Sequence, residues 1–220
     1  MTNVLFVPWR RATQLDKALF VGRAGRSPDL VGFAGEEYRS KNQQWKTLAQ
    51  DDRIKTKKQF YEVWYSGSQS VILLSMTDGQ IYIRGHGQPG ENHISSGDDT
   101  HDTACITAND VARRLIDSGL QTSFAGKIKC YNCHSAEAGW KGAPFAQVFA
   151  DAMAAAGYTN CTYWGYLGSL TSFYETRLND PQLHKYAGHK EDFGDGAWVM
   201  DDARASQRRL QITPRLAGAT

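Results

Sequence analysis

Two short stretches of the chain end in side chains that can do covalent chemistry. Residues 81–84 alternate apolar and polar side chains, and His86 follows them between two glycines. Residues 127–132 have a similar pattern, and Cys133 follows. A cysteine attacks as its thiolate, so a catalytic cysteine needs a nearby base or a depressed pKa. The residue types therefore predict a dyad in which His86 is the base and Cys133 the nucleophile.

The elements that must position this dyad are two strands of one sheet. In an α/β sheet the carboxyl ends of parallel strands meet at one edge, which is where catalytic groups converge. Gly87 permits a close approach of the backbone, and its N–H can donate to a developing oxyanion. The Cys133 N–H is the second predicted donor of that oxyanion hole.

Other histidines compete with His86 for the role of base. His134 follows the cysteine directly, and neighbours along an extended strand point to opposite faces, so we expect it to be poorly placed. His93 and His101 lie in the segment after His86 and stay open as alternatives. The structural alternative for the whole pair is a histidine that ends a strand and a cysteine buried in a core.

Two further motifs overlap the same residues. Residues 130–134 match C-x-x-C-H, the attachment pattern of c-type haem, and also contain a thioredoxin-like C-x-x-C. Neither fits well, because the motif lies in a predicted strand and no helix begins at Cys130. Residues 85–90 match G-x-G-x-x-G, but a loop-like segment follows them instead of the helix that a dinucleotide site needs. No four-ligand set with zinc spacing is present, so no metal is expected.

Composition limits the broad class of the protein. The chain has 220 residues, 41% of them hydrophobic and 22% charged, with a formal charge of +2. These values predict one α/β domain over residues 1–212, with a flexible tail over 213–220, and they give no reason to expect a nucleic-acid partner. No apolar run reaches the ~20 residues of a membrane span. Residues 4–7 suit a first core strand better than a secretory signal. A cytoplasmic location, or export without a cleaved signal peptide, is therefore expected.

Periodicity predicts alternating strands and helices around a mixed, mostly parallel sheet with helices on both faces. Asp78 and Gly79 predict a hairpin turn, which would make the sheet mixed. Thr107 and Asp110 resemble a helix cap, with a helix stop at Gly119. Strands are expected at 4–7, 71–74, 80–84, 127–132, 160–167 and 197–200, and helices at 36–50, 51–64, 107–118 and 145–156.

A strand ending in His-Gly, a helix, and a strand ending in Cys-x-Ser together resemble the caspase-like cysteine peptidases. The likeness covers residues 71–168 and is nearest to the self-processing protease domains of bacterial toxins and to clostripain-type enzymes. The spacing of His86 and Cys133 is close to the ~50 residues found in caspases. The caspase Q-A-C-x-G signature is absent, since Asn132 precedes the cysteine and His134 follows it. Caspase-style aspartate specificity is therefore in doubt.

The resemblance implies a caspase–hemoglobinase fold and a cysteine endopeptidase that acts through a thioester acyl-enzyme, self-processing or delivered as an effector. It implies a peptide or protein substrate and no required cofactor, with an inositol phosphate as an allosteric activator in the toxin-type relatives. The strand after the cysteine helix would line the substrate cleft through Tyr163, Gly165 and Leu167. Asp98 and Asp99, in the segment after His86, could favour a basic residue at P1. A catalytically silent binding scaffold and a redox or haem protein are the alternatives. The sequence does not predict an oligomeric state.

Overall fold

A six-stranded sheet forms the centre of the computed structural model, which describes residues 2–10, 60–96, 104–140, 142–170, 175–177, 180–184, 186–188 and 203–215. Its spatial order is β12-β7-β6-β3-β1-β2. The remaining strands form two-stranded pairs, β10 with β9, β11 with β8, and β4 with β5. In chain order the strands are β1 (Asn3–Val7), β2 (Phe60–Trp64), β3 (Gln80–Ile83), β4 (His93–Ser95), β5 (Cys105–Thr107), β6 (Lys127–Cys130), β7 (Thr162–Tyr166), β8 (Ser169–Leu170), β9 (Glu175–Arg177), β10 (Asp180–His184), β11 (Ala187–Gly188) and β12 (Arg209–Ile212).

The main sheet is mixed and mostly parallel, so the α/β class is confirmed at this level. Strands β2, β1, β3, β6 and β7 are parallel along their shared edges, and only β12 runs antiparallel, beside β7. The antiparallel pair was predicted to arise from a hairpin turn at Asp78 and Gly79, and this prediction was wrong. Gly79 leads into β3, and the Gln80 N–H donates to the Thr2 carbonyl at 2.9 Å, so the chain joins a distant parallel strand and makes no hairpin at Asp78.

Two helices fill the connections between the central strands. Helix α2 (Ala108–Asp117) joins β5 to β6, and α3 (Phe145–Ala155) joins β6 to β7. They pack against each other, which places both on one face of the sheet. Helices on the opposite face stay a prediction. Within the described residues no helix is long and apolar enough to cross a membrane.

The predicted cap of α2 is confirmed. The Asp110 N–H donates to Thr107 Oγ1 at 3.2 Å, and the Thr107 hydroxyl donates to the Asp110 carboxylate at 2.8 Å. The side chain of Thr107 therefore satisfies one of the N–H groups that a helix leaves unpaired in its first turn. At the other end Gly119 adopts a φ of 102°, a left-handed conformation that suits glycine and ends the helix.

Two secondary-structure predictions were wrong. The apolar run 71–74 is a one-turn helix, α1 (Val71–Leu74), and not a strand. Only Leu73 is buried in it, whereas Val71 is 79% exposed, so the run does not fill a sheet interior. Phe60–Trp64 is the edge strand β2 and not the end of a helix, because it pairs in parallel with β1. The strand expected at 197–200 and the helix expected at 36–50 lie outside the described residues.

Candidate active site

The two strands that carry the predicted dyad are neighbours in the sheet. Strand β3 pairs in parallel with β6, and Ile83 is the register partner of Cys130. His86 and Cys133 each lie three residues beyond this pair, so both follow the carboxyl ends of adjacent parallel strands. The Tyr131 N–H donates to the Ile83 carbonyl at 2.9 Å and extends the pairing toward the site. The sheet order that a His86–Cys133 pair requires is therefore present.

The backbone of His86 is fixed by pairing with Ser95 of β4. Its N–H donates to the Ser95 carbonyl and the Ser95 N–H donates back to the His86 carbonyl, both at 2.9 Å. Gly85 lies against the buried side chain of Ile94, where a Cβ atom would come within 2.7 Å of Ile94 Cδ1. These hydrogen bonds and this packing hold the segment after β3 against β4. No helix begins in this segment, which removes the dinucleotide interpretation of residues 85–90.

Gly87 lies close against the loop that follows β6. A Cβ atom on Gly87 would lie 2.6 Å from the Cys133 carbonyl oxygen and 2.7 Å from Asn132 Nδ2, distances that real Cβ atoms do not show. The glycine is therefore required by the neighbouring backbone itself. Within the described residues the Gly87 N–H donates to no backbone carbonyl, and its role in an oxyanion hole stays a prediction.

Asn132 adds a buried polar group beside this contact. Its side chain is 1% exposed, and its two polar atoms have no hydrogen-bond partner within the part of the chain that the structure describes. A buried amide without partners costs about 1–3 kcal/mol, so such groups are rare outside functional regions. Nothing in the residue pattern predicted a role for Asn132.

Cys133 lies in the loop after β6, half-buried and not in a disulfide. The Leu170 N–H donates to Cys133 Sγ at 3.2 Å, and the Leu170 carbonyl oxygen lies 4.0 Å from the same sulfur. Leu170 belongs to β8, the short strand that follows β7. The backbone of Cys133 therefore lies against Gly87, and its thiol lies against β8.

Cys130 has a contrasting setting. It is the last residue of β6 and is 1% exposed, and its burial raises the pKa of the thiol far above the usual range. A thiol that stays neutral is a poor nucleophile and a poor metal ligand. This environment does not suit the redox and haem interpretations of residues 130–134, which need both cysteines to react.

His134 does not follow the extended geometry that was expected of it. Strand β6 has already ended, and His134 adopts a φ of 55° in a turn, so the strand-alternation argument was wrong. Its Nδ1 lies 2.9 Å from the Glu137 carboxylate and its Nε2 lies 3.0 Å from Ser169 Oγ. Both ring nitrogens are therefore engaged by groups other than the Cys133 thiol.

Ser135 and Arg84 support the site, and no role was predicted for either, although Ser135 is part of the Cys-x-Ser pattern. The buried Ser135 hydroxyl donates to the Cys130 carbonyl at 2.7 Å and accepts from the Tyr166 N–H at 2.9 Å, joining β6 to β7 where pairing stops. The buried Arg84 donates to the Tyr131 carbonyl at 3.2 Å. A polar residue just beyond a strand end was the only signal that could have identified either.

Two of the three predicted cleft residues, Tyr163 and Gly165, lie in β7 and are buried. Tyr163 is 2% exposed, and its hydroxyl donates to the Tyr158 carbonyl at 2.6 Å. Gly165 lies against Ala146 of α3, where a Cβ atom would come within 2.7 Å of the alanine Cβ. Leu167 is half-buried, and its N–H donates to a carbonyl of the chain preceding β12. Their role in substrate binding stays a prediction, and Leu170 is the residue of this segment that contacts the thiol.

The remaining predicted site residues are paired with another group or lie outside the described residues. Asp98, Asp99 and His101 belong to the segments that the structure does not describe. His93 pairs with the Glu91 carboxylate at 3.1 Å. Within the described ranges no group of three or more His, Cys, Asp and Glu side chains is arranged to hold a metal ion.

Comparison with known proteins does not assign the chain to a family. No protein-family model matches it, and no curated protein is significantly similar to it.

Proposed function

We propose that the protein is a cysteine endopeptidase of the caspase-like kind, with Cys133 as nucleophile and His86 as base. The observation that carries the proposal is the approach of Gly87 to the Cys133 carbonyl at the shared carboxyl edge of β3 and β6. The proposal extends to the fold, as a caspase–hemoglobinase arrangement in which α2 connects the histidine segment to the cysteine strand.

The chemistry follows from the roles of these groups. The Cys133 thiolate attacks the scissile carbonyl, and the N–H groups of Gly87 and Cys133 stabilise the oxyanion that forms. As the C–N bond breaks, the imidazolium of His86 gives its proton to the leaving amine and a thioester remains. His86 then takes a proton from water as the water oxygen attacks the thioester carbonyl. The C–S bond breaks, the acid product is released, and the Cys133 thiolate beside the His86 imidazolium is restored.

The environment of the two cysteines supports the choice of Cys133. Of the two cysteines in β6 and the loop that follows it, Cys130 is buried, and burial raises the pKa of its thiol. Cys133 is half-buried, lies beyond the strand end, and accepts an N–H bond on its sulfur. A hydrogen bond to sulfur favours the charged form of a thiol, which is the form that attacks.

A peptide acyloxymethyl-ketone probe tests the proposal, because it alkylates only an activated cysteine. We expect Cys133→Ala and His86→Ala to abolish labelling, and the matched control Cys130→Ala to keep it. A panel of probes with basic, acidic and apolar P1 residues measures specificity in the same experiment. A basic preference would support the role predicted for Asp98 and Asp99.

Other outcomes would contradict parts of the proposal. Labelling that is lost in Cys130→Ala and kept in Cys133→Ala would exclude the assigned nucleophile and return attention to the redox interpretation. Absence of labelling in the parent, with and without inositol hexakisphosphate as activator, would contradict the peptidase and favour a binding scaffold.

A further inference from the structure

A chain of hydrogen bonds joins the loop after Cys133 to the segment that contacts its sulfur. The carboxylate of Glu137 lies 2.9 Å from His134 Nδ1, and His134 Nε2 lies 3.0 Å from Ser169 Oγ. A carboxylate only accepts hydrogen bonds, so Nδ1 carries the proton. In the neutral imidazole Nε2 is then the acceptor, and the Ser169 hydroxyl donates to it.

Backbone bonds reinforce the same connection. The His134 N–H donates to the Gly168 carbonyl at 2.9 Å, and the Gly168 N–H donates to the second carboxylate oxygen of Glu137. Residues 168 and 169 are thus tied to the turn at 134–137 by backbone and side chains together. His134 and Glu137 are only 14% and 21% exposed, so water competes weakly for these bonds.

The backbone of His134 is strained in order to make these contacts. Among the described residues it is the one non-glycine residue with a positive φ, 55°. A left-handed conformation costs a residue with a Cβ atom roughly 1–2 kcal/mol, and it persists where the surroundings over-determine it. At His134 both ring nitrogens and the backbone N–H are engaged, so these three contacts hold the strained conformation.

Ser169 is adjacent to the residue that touches the thiol. The Leu170 N–H donates to Cys133 Sγ at 3.2 Å, one peptide bond from the residue that His134 holds. We infer that His134 is a positioning residue which, through Glu137 and Ser169, holds the Leu170 N–H on the Cys133 sulfur and so stabilises the thiolate. The inference rests on the proposed function, in which Cys133 is the nucleophile.

The pH dependence of Cys133 alkylation tests this inference without any need for peptidase activity. Iodoacetamide reacts with native protein over a range of pH, and mass spectrometry of the Cys133 peptide gives the midpoint of the rate curve. The central variant is His134→Asn, because asparagine tolerates a positive φ but is too short to bridge both partners. We expect its midpoint to rise by about one pH unit, the order expected for loss of a hydrogen bond to a charged sulfur.

Ser169→Ala removes one bond and leaves the backbone turn intact, so we expect a smaller rise, about half a unit. Ser169→Thr keeps a hydroxyl, so its midpoint should equal that of the parent. The matched control is His93→Asn, which also loses a histidine paired with a neighbouring glutamate at 3.1 Å but lies in β4. Its midpoint should equal that of the parent.

A parent-like midpoint in both His134→Asn and Ser169→Ala would overturn the inference. Loss of thermal stability in these variants without a change of midpoint would do the same, because it assigns the network a purely structural role. If the midpoint moves as expected while the parent takes no peptide probe, the inference holds and the peptidase proposal fails. If the parent is labelled and the midpoint does not move, only the inference fails.

Discussion

Cys130 and Cys133 belong to one strand and the loop that follows it, yet their environments differ in every respect that matters for reactivity. Cys130 is the final residue of β6, 1% exposed, with a thiol whose pKa is raised by burial. Cys133 is half-buried, touches the segment of Gly87, and accepts the Leu170 N–H on its sulfur. Three residues beyond the last sheet pair are enough to move a thiol from the core to a polar edge.

The difference between the two cysteines arises because Cys130 lies inside β6 and Cys133 lies in the loop that follows it. Inside β6 the backbone groups are consumed by pairing with β3 and β7, and Cys130 is part of the buried core. Beyond β6 the backbone turns, and Ser135 takes over the connection between β6 and β7. The loop is thereby held in place without using the Cys133 side chain.

The largest expected effect is on alkylation of the native protein at pH 8. Cys133 should react with iodoacetamide at least about 1,000-fold faster than Cys130, because each unit by which a pKa exceeds the pH lowers the thiolate fraction tenfold. Burial adds the cost of opening the core. Quantitative mass spectrometry of both peptides gives the ratio, with exposed Cys105 as internal standard. Similar rates for Cys130 and Cys133 would remove the contrast on which the assignment depends.

A smaller effect is expected when the contact between Gly87 and the Cys133 carbonyl is disturbed. Gly87→Ala places a Cβ atom 2.6 Å from the Cys133 carbonyl, so the two strand ends must move apart. We expect peptide-probe labelling to fall about 100-fold, since a displacement near 1 Å has an effect of this size on a catalytic pair. The matched control is the exposed neighbour Gln88→Ala, which should label within about twofold of the parent. Unchanged labelling in Gly87→Ala would show that the contact is not needed for reactivity.

The smallest effect concerns stability. Here the substitution of Cys130 should have a larger effect than the substitution of Cys133. Cys130→Ser places a hydroxyl in the core and should lower the free energy of unfolding by about 2 kcal/mol, the usual cost of a buried polar group that lacks a full partner. Cys133→Ser should cost less than about 0.5 kcal/mol, because its site is half-buried and polar. Urea denaturation measures both values. Equal losses would mean that Cys133 is also a structural core residue.

The central sheet and its carboxyl edge could be predicted because their signals are local. Alternating side chains in β3 and β6 and the stripes of α2 and α3 indicated parallel strands joined by helices, and this arrangement puts His86 and Cys133 at one edge. These patterns did not predict the strand order of the sheet, in which β3 and β6 are neighbours. That order depends on which strands pair over long distances, and strand β1 lies on the other side of β3.

The errors arose where tertiary pairing overrode a local pattern. The Asp78-Gly79 turn signal was outweighed by the pairing of β3 with β1 and β6, and residues 60–64 took a strand conformation because β1 offered an edge. The role of His134 was missed for a related reason. Its partner Ser169 is distant in sequence, and its positive φ depends on that contact.

The dependence of Cys133 on His86 is the most direct test of the proposed dyad. Alkylation of Cys133 is followed from pH 5 to pH 10 in the parent and in His86→Ala, with Cys105 in the same samples as reference. The account predicts that the parent stays reactive below pH 7 and that the midpoint in His86→Ala rises by at least about one unit toward the ordinary value near 8.5. Superimposable curves for the two proteins would contradict the dyad.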